Sequence, residues 1–202
     1  MRIKVYILMI LVPVLLAAPI AATVRAESTP SREYHIKAAF LYNFIKFVDW
    51  PQDINETNET ITIGIIGNDL FGSSFETLKN KLVKDKKVII RRFESFEKLK
   101  KFKKNKDDEL LSQLDALLGC NVLFISSSEK NNLSDIIKIL GNSPVLTVAQ
   151  MSNFLESGGI INFVEKDKKV AFEINVIAAK RARLKIRSKL LRLAERVVEK
   201  NL

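Results

Sequence analysis

Hydrophobic and polar positions predict a long helix near the N-terminus, followed by alternating strands and helices. The segment 34–51, YHIKAAFLYNFIKFVDWP, has the length of a helix, and Ile36, Phe40, Phe44 and Phe47 form one apolar stripe at helical spacing. Further apolar side chains fill most of the remaining surface, and the polar ones are scattered among them. A helix that is apolar on all sides is buried on all sides, by its own domain, a second subunit or lipid.

Short apolar runs after this helix indicate strands that alternate with helices. We predict strands at 61–66, 87–93, 121–125 and 145–148, and a hairpin formed by 160–165 and 169–174. Helices are predicted at 70–82, 110–118, 129–140, 151–157 and 176–180, and the stretch 94–108 is a solvated helix or a loop. A last helix begins at Ser188 and carries Leu190, Leu193 and Val197 on one face. The pattern predicts a single-domain α/β sandwich with a mixed, mostly parallel sheet flanked by helices.

The N-terminus has the pattern of an export signal. Arg2 and Lys4 precede an apolar run at 5–18, and small residues lead to a cleavage site before Glu27. The run is also near the lower length limit of a membrane anchor, but two prolines and an alanine-rich end favour cleavage. We therefore expect residues 1–26 to be a cleaved signal peptide and 27–202 to form one exported domain without a membrane span.

The charge of the chain is strongly basic. It has 202 residues and a formal net charge of +10. Its cations lie in lysine clusters and near the C-terminus, and an exported protein rarely meets nucleic acid, so we expect no nucleic-acid partner and a general attraction to anionic surfaces. The densest cluster, Arg183, Lys185 and Arg187, alternates with apolar residues. It is either a solvated edge or a docking surface for an acidic partner or lipid headgroups.

The residues that usually carry catalysis or bind metal are scarce. His35 is the only histidine and Cys120 the only cysteine, whereas a protein zinc site uses three or four ligands. The sequence identifies no serine that His35 could activate as a nucleophile, and we interpret His35 as a polar residue at a helix start. Cys120 is predicted to be a small buried hydrophobic residue. Asp49 and Glu173 are isolated along the chain. We therefore predict no catalytic residue, metal or cofactor.

A glycine-containing loop is the first candidate ligand site. Gly67, Asn68, Asp69 and Gly72 follow a predicted strand and open a predicted helix, but Ser73 stands where a phosphate-binding loop needs lysine. The loop is therefore predicted to be a strand–helix junction capped by Asp69. Its backbone amides could still hold a small anion.

Glu173 and Asn175 complete the candidate ligand contacts. Strand alternation places Val170, Phe172 and Ile174 on one face and Glu173 on the other. Glu173 is then either solvated or paired with a cation of the 183–187 cluster, because an unpaired buried charge costs too much free energy. Asn175 can cap the helix that follows it.

An ordered set of motifs along the chain resembles one known family. These are EY at 33–34, KAAFLYNF at 37–44, KFVDWP at 46–51, IIGND at 65–69, CNVLFIS at 120–126, PVLTV at 144–148, GGIINFV at 158–164, FEIN at 172–175 and the segment 184–194. The set resembles the YfiR-like family of bacterial periplasmic proteins over nearly the whole mature chain. Arg183 and Arg187 stand where members of this family often have glycine and serine.

The resemblance implies a non-catalytic periplasmic regulator. It would repress a membrane partner, such as an inner-membrane diguanylate cyclase, by contact, and an OmpA-like outer-membrane lipoprotein could sequester it. The alternative is a small-molecule binding module that feeds a sensor kinase. The apolar surface of the N-terminal helix also predicts a homodimer. The residues expected to contact a partner or a second subunit are Phe40, Tyr42, Asn43, Phe44, Phe47, Trp50, Arg183, Lys185 and Arg187.

Overall fold

The computed structural model describes residues 29–52, 59–78, 81–103 and 108–200, so the predicted signal peptide lies outside it. Its strands are β1 (Val48–Asp49), β2 (Thr60–Ile66), β3 (Leu82–Val83), β4 (Lys86–Phe93), β5 (Val122–Ile125), β6 (Leu146–Ala149), β7 (Ile161–Lys166), β8 (Lys169–Asn175), β9 (Lys185–Ile186) and β10 (Arg196–Val198). Its α-helices are α1 (Thr29–Phe47), α2 (Phe96–Lys103), α3 (Asp108–Leu118), α4 (Leu133–Leu140), α5 (Val176–Arg181) and α6 (Ser188–Leu191). Two 3-10 helices span Gly72–Leu78 and Ser127–Asn132.

The sheet has eight strands in the order β10-β8-β7-β6-β5-β2-β4-β3. Strands β4, β2, β5, β6 and β7 are parallel neighbours, whereas β3–β4 and β7–β8 are antiparallel pairs. β5, VLFI, is buried along its whole length, as a central strand covered on both faces must be. The predicted mixed, mostly parallel sheet flanked by helices is therefore confirmed.

The two faces of the sheet have separate apolar cores. On one face, α1, the Gly72–Leu78 helix and the C-terminal segment pack on β2, β5, β6, β7 and β8. On the other face, α2, α3, α4 and the loop after β6 pack on the opposite side chains of the same sheet. Alternation along β5 shows the division, because Val122 and Phe124 point to the first core and Leu123 and Ile125 to the second.

Helix α1 begins earlier and ends earlier than the apolar segment suggests, and it is not apolar all round. The exposed residues Arg32, Ile36, Ala39, Asn43 and Lys46 recur every three or four positions and form one solvent face. The sequence pattern does not reveal this face, because Lys37 is a charged residue on the buried side of the helix and is only 1% exposed. The sheet covers the rest of the helix, so its apolar surface is explained mainly by its own domain.

Three predicted helices are wrong in whole or in part. Residues 151–157 form turns rather than a helix, and Asn153 has a left-handed φ of 60°. The predicted helix 70–82 is a 3-10 helix ending at Leu78, after which the chain enters β3. The last helix ends at Leu191, because Arg196–Val198 instead pair with β8 as a parallel edge strand.

No helix in the described part of the chain combines the length and apolar character needed to cross a membrane.

Candidate interaction surface

The end of α1 meets the C-terminal segment through a two-stranded ribbon. In β1 and β9, Val48 pairs with Ile186 and Asp49 with Lys185. The amide of Arg187 donates to the carbonyl of Phe47 at 2.9 Å. Arg183 turns the chain from α5 into β9 with a φ of 56°, a left-handed conformation that glycine adopts more easily. The ribbon thus joins two predicted contact regions that are far apart in sequence.

Around this ribbon lies a continuous group of exposed cations, which we call the basic surface. Lys46 and Lys81 lie over the Tyr42 ring at 4.4 and 5.8 Å from its centroid, and Lys189 lies over Phe47 at 5.4 Å. Such cation–π contacts hold the charged groups near the protein while their ammonium heads stay in water. The basic surface consists of Lys46, Lys81, Lys84, Lys185, Arg187 and Lys189.

Asp49 is the acidic centre of the basic surface and is not isolated, contrary to the sequence prediction. Arg187 binds it with both ends of its guanidinium, Nη2 to Oδ1 at 2.7 Å and Nε to Oδ2 at 3.0 Å. Lys84 Nζ donates to Asp49 Oδ1 at 3.3 Å and to the carbonyl of Val48 at 2.6 Å. Hydrogen bonds from Arg187, partly opposed by desolvation and aided by Lys84, hold the pKa of Asp49 below its usual range.

The low pKa of Asp49 makes its contribution to stability dependent on pH. This contribution is present at pH values above the unfolded pKa of aspartate, about 3.9, and is lost as the pH falls through the lower folded pKa. Asp49→Asn should therefore lower the urea midpoint at pH 6.5, and the gap to the wild type should shrink at the lowest pH at which the protein stays folded. An equal gap at both pH values would contradict a charged role for Asp49.

The structure divides the predicted partner contacts into buried and accessible residues. Phe44 and Trp50 are 0% and 6% exposed, so in this conformation neither side chain is available to a partner. Trp50 donates its indole N–H to the carbonyl of Pro144 at 2.9 Å. The accessible residues are the half-buried Phe40, Tyr42 and Phe47 and the exposed Asn43, Arg183, Lys185 and Arg187.

The structure does not bring the two halves of the predicted ligand site together. Gly67 follows β2 at the carboxyl edge of the parallel strands, whereas Asn175 ends β8 at the amino edge. Asn175 Oδ1 caps α5 by accepting from the amide of Ala178 at 2.9 Å, and its Nδ2 donates to the carbonyl of Leu155 at 3.0 Å. Its hydrogen-bonding groups therefore serve the fold.

Glu173 has a different partner from those the sequence suggests. Arg196 of β10 binds it in a bidentate pair, Nε to Oε1 and Nη2 to Oε2, both at 2.9 Å. The same guanidinium also donates to Glu156, and together the two carboxylates raise the pKa of Arg196. The predicted pairing of Glu173 with the 183–187 cluster is thus incorrect. β10 lies beside β8, and Arg196 is directly opposite Glu173 in their register.

The Gly67–Gly72 loop is held by hydrogen bonds within the loop and to two neighbouring elements. Asp69 Oδ1 accepts from the amide of Phe71 at 2.8 Å, and Oδ2 accepts from Arg92 Nε at 2.6 Å. Ser128 Oγ accepts from the amide of Asn68 at 3.0 Å. These contacts support the reading of the loop as a strand–helix junction.

The surroundings of His35 and Cys120 give no indication of a catalytic role. His35 lies in the second turn of α1 rather than at its start, and its Nδ1 is 3.4 Å from Oγ of Ser74, a side chain only 2% exposed. Burial raises the pKa of the Cys120 thiol to about 12, so the unreactive thiol form prevails. The described residues contain no cluster of histidine, cysteine and carboxylates that could hold a metal ion.

A groove that the sequence did not reveal lies between α1 and the β7–β8 hairpin. It has a volume of about 670 Å³, with Phe40 and Val170 on its apolar side. The cations Arg32, Lys168 and Lys169 lie around it together with the carboxylates Glu33 and Glu165. Lys37 lies at its inner wall, ion-paired with Glu33, bonded to Gln150 Oε1 and 4.2 Å from the Tyr34 ring centroid. The one sequence signal was the i,i+4 spacing of Glu33 and Lys37.

Solved structures confirm the architecture of the chain. A conserved domain protein from Vibrio cholerae O1 biovar El Tor matches with a TM-score of 0.52 at 12% identity, over 81% of this chain and 60% of that one. The ABC domain from Streptococcus pneumoniae, solved with L-Trp, matches with a TM-score of 0.54 at 13% identity, over 80% and 60%. The chain thus spans about 60% of each structure, and at this identity the likeness concerns the fold alone.

The sequence itself matches one family over most of its length. No curated protein sequence shows a significant match. A family model described as YfiR/HmsC-like matches residues 34–195, which include most of α1, every strand of the eight-stranded sheet except β10, and the ribbon that carries the basic surface. This match covers far more than half of the chain and agrees with the observed fold. The chain therefore belongs to the YfiR/HmsC-like family.

Proposed function

We propose that this protein is a periplasmic repressor that holds the periplasmic region of an inner-membrane diguanylate cyclase in an inactive geometry by direct contact. The basic surface is the observation that carries this proposal. Its cations are exposed, yet they are positioned by the aromatic rings of Tyr42 and Phe47 and by the pair of Arg187 with Asp49. A positioned cationic surface favours an acidic partner and speeds the encounter with it.

The mechanism requires that the repressor bind the inactive state of its partner more tightly than the active one. A ligand shifts a conformational equilibrium only by this difference in affinity. Removal of the repressor, for example by an OmpA-like outer-membrane lipoprotein, would then release the cyclase. A sensor kinase could be controlled in the same way, and the family membership supports a membrane signalling partner in either case.

Export by a cleaved signal peptide and a homodimer complete the proposal. The signal peptide is proposed from the sequence alone, because the first 26 residues lie outside the described chain. The homodimer is proposed from the apolar character of the N-terminal helix. The exposed face of α1 is the part of the helix still available to a second subunit, and Ile36, 41% exposed, is its large apolar residue.

Deleting the gene tests the proposed function in the cell. We expect cyclic di-GMP and biofilm formation to rise, because the cyclase loses its repressor. A plasmid copy of the wild-type gene should restore the low level. An unchanged cyclic di-GMP level in the deletion strain would contradict repression of a cyclase.

A second candidate function is a binding module for small molecules that feeds a sensor kinase. The groove beside Lys37 favours it, because an apolar side and surrounding cations suit a small carboxylate with an apolar body. Benzoate, phenylacetate and octanoate are suitable probes, since a ligand that binds only the folded state raises the Tm. A Tm rise that Arg32→Glu abolishes would support this function, and no shift with any probe would remove it.

A further inference from the structure

The outer edge of β4 has backbone groups that no strand in the described chain uses. β4 pairs with β2 from Lys87 to Phe93, but on its other side β3 pairs only with Lys86 and Lys87. The amide of Lys87 donates to the carbonyl of Glu59 on the β2 side. Because successive residues of a strand turn their N–H and C=O groups to opposite sides, Val88, Ile90 and Arg92 direct theirs outward. Such a row is a template for another strand.

An apolar groove of about 370 Å³ accompanies this edge. Phe75 and Leu78 of the 3-10 helix form one wall, and Val88, Ile89 and Ile90 of β4 form the other. The charged residues Glu76, Lys87 and Arg92 also line it. Ile89 is 43% exposed, although isoleucine is usually buried. An added strand would therefore find apolar surface for its side chains as well as partners for its backbone.

The charges at this edge decide what kind of strand it accepts. Lys86 and Lys87 precede the apolar Val88–Ile90 run, and Arg91 and Arg92 follow it. Asp69 already binds Arg92, so Lys87 and Arg91 are the cations on which the selection of a strand depends. A second copy that paired antiparallel through a two-fold axis would set lysines opposite arginines, and like charges in that position are destabilising. A second copy is therefore disfavoured, and a segment with acidic side chains is complementary.

We propose that the outer edge of β4 binds an extended, acidic segment of a partner protein, which adds to the sheet as a further strand. Main-chain hydrogen bonds would give affinity, while the basic residues and the apolar groove would select alternating acidic and apolar side chains. The edge adjoins Lys81 and Lys84 of the basic surface. Strand addition at this edge can be measured with the purified protein, whether or not the partner is a cyclase.

Binding of a synthetic peptide to the purified chain tests the proposal. The probe is a capped, labelled heptapeptide, EVEVEVE, and fluorescence anisotropy measures its Kd. We expect saturable binding that Lys87→Glu with Arg91→Glu weakens by about tenfold or more, because two attractions become repulsions. Lys130→Glu with Lys138→Glu makes the same change in charge at exposed positions over the opposite core and should bind like the wild type.

A second peptide separates strand addition from charge attraction alone. N-methylation of every internal amide in EVEVEVE removes the backbone donors on both edges of the peptide strand and keeps the charge, so it should abolish binding. Hydrogen exchange of the wild type should also slow at Val88, Ile90 and Arg92 when the parent peptide is added, a result that needs no variant. Equal affinity for the methylated peptide, equal weakening by both charge variants, or no protection at these amides would each overturn the proposal.

Discussion

Replacing Phe44 with alanine should lower the free energy of unfolding by about 3–5 kcal/mol, the usual cost of truncating a buried phenylalanine. Phe44 is 0% exposed, and its ring packs between those of Phe163 and Phe172, with centroid distances of 5.8 and 5.1 Å. The change removes the contact between α1 and the β7–β8 hairpin at its centre. Denaturant unfolding of the purified variant measures this loss, which is a large part of the stability of a typical domain.

Phe44→Glu distinguishes a core position from a subunit contact more sharply. A buried carboxylate without a partner should prevent folding, because its desolvation cost exceeds what a domain of this size can offset. Asn43→Ala is the matched control, since Asn43 is the exposed neighbour on α1 and should change stability little. A soluble, folded and monomeric Phe44→Glu protein would show instead that Phe44 lies in an interface between subunits.

Gly67→Ala should lower the free energy of unfolding by about 2–4 kcal/mol, through backbone strain and displaced neighbours. Gly67 has a φ of 85°, and an added Cβ would lie 2.4 Å from Ser128 Oγ and 2.9 Å from Glu129 Cγ. Both neighbours have structural roles. Ser128 accepts from the amide of Asn68, and the buried Glu129 accepts from the amide of Phe96 and from Asn132 Nδ2.

Gly72→Ala provides the control within the same loop. Gly72 also has a positive φ, 49°, but an added Cβ would meet nothing within 4 Å. Only the conformational cost of about 1–2 kcal/mol then applies. Equal losses in the two variants, measured by urea unfolding, would mean that the contacts of Gly67 with Ser128 and Glu129 do not constrain the loop.

The parts of the fold that the sequence predicted well are those with strong local signals. The run 61–66 is a buried apolar strand, and the hairpin turn at 166–168 contains Asp167 and Lys168, both with left-handed φ values in the structure. The predicted C-terminal helix failed because pairing of Arg196–Val198 with β8 outweighs a weak helical stripe. Strand pairing over this distance leaves no mark in the local pattern.

For the candidate interaction surface, the sequence predicted which types of residue take part but not how they are arranged. The cluster at 183–187 was visible, but its pairing with Asp49 depends on the β1–β9 ribbon, which has two residues in each strand. Lys84 and Lys189 join the basic surface only through the tertiary fold. Phe44 and Trp50 seemed equally suited to an interface because aromatic residues are common both in cores and in interfaces. Only the packed structure distinguishes these two roles.

The central claim is that the basic surface mediates repression, and complementation of the deletion strain tests it most directly. The strain would carry either Lys185→Glu with Lys189→Glu or the control Lys130→Glu with Lys138→Glu, at protein levels matched by immunoblotting. All of these lysines are exposed, so both variants should fold. The account predicts that cyclic di-GMP stays high with the first variant and returns to the wild-type level with the second. Full repression by the Lys185→Glu, Lys189→Glu protein would contradict it.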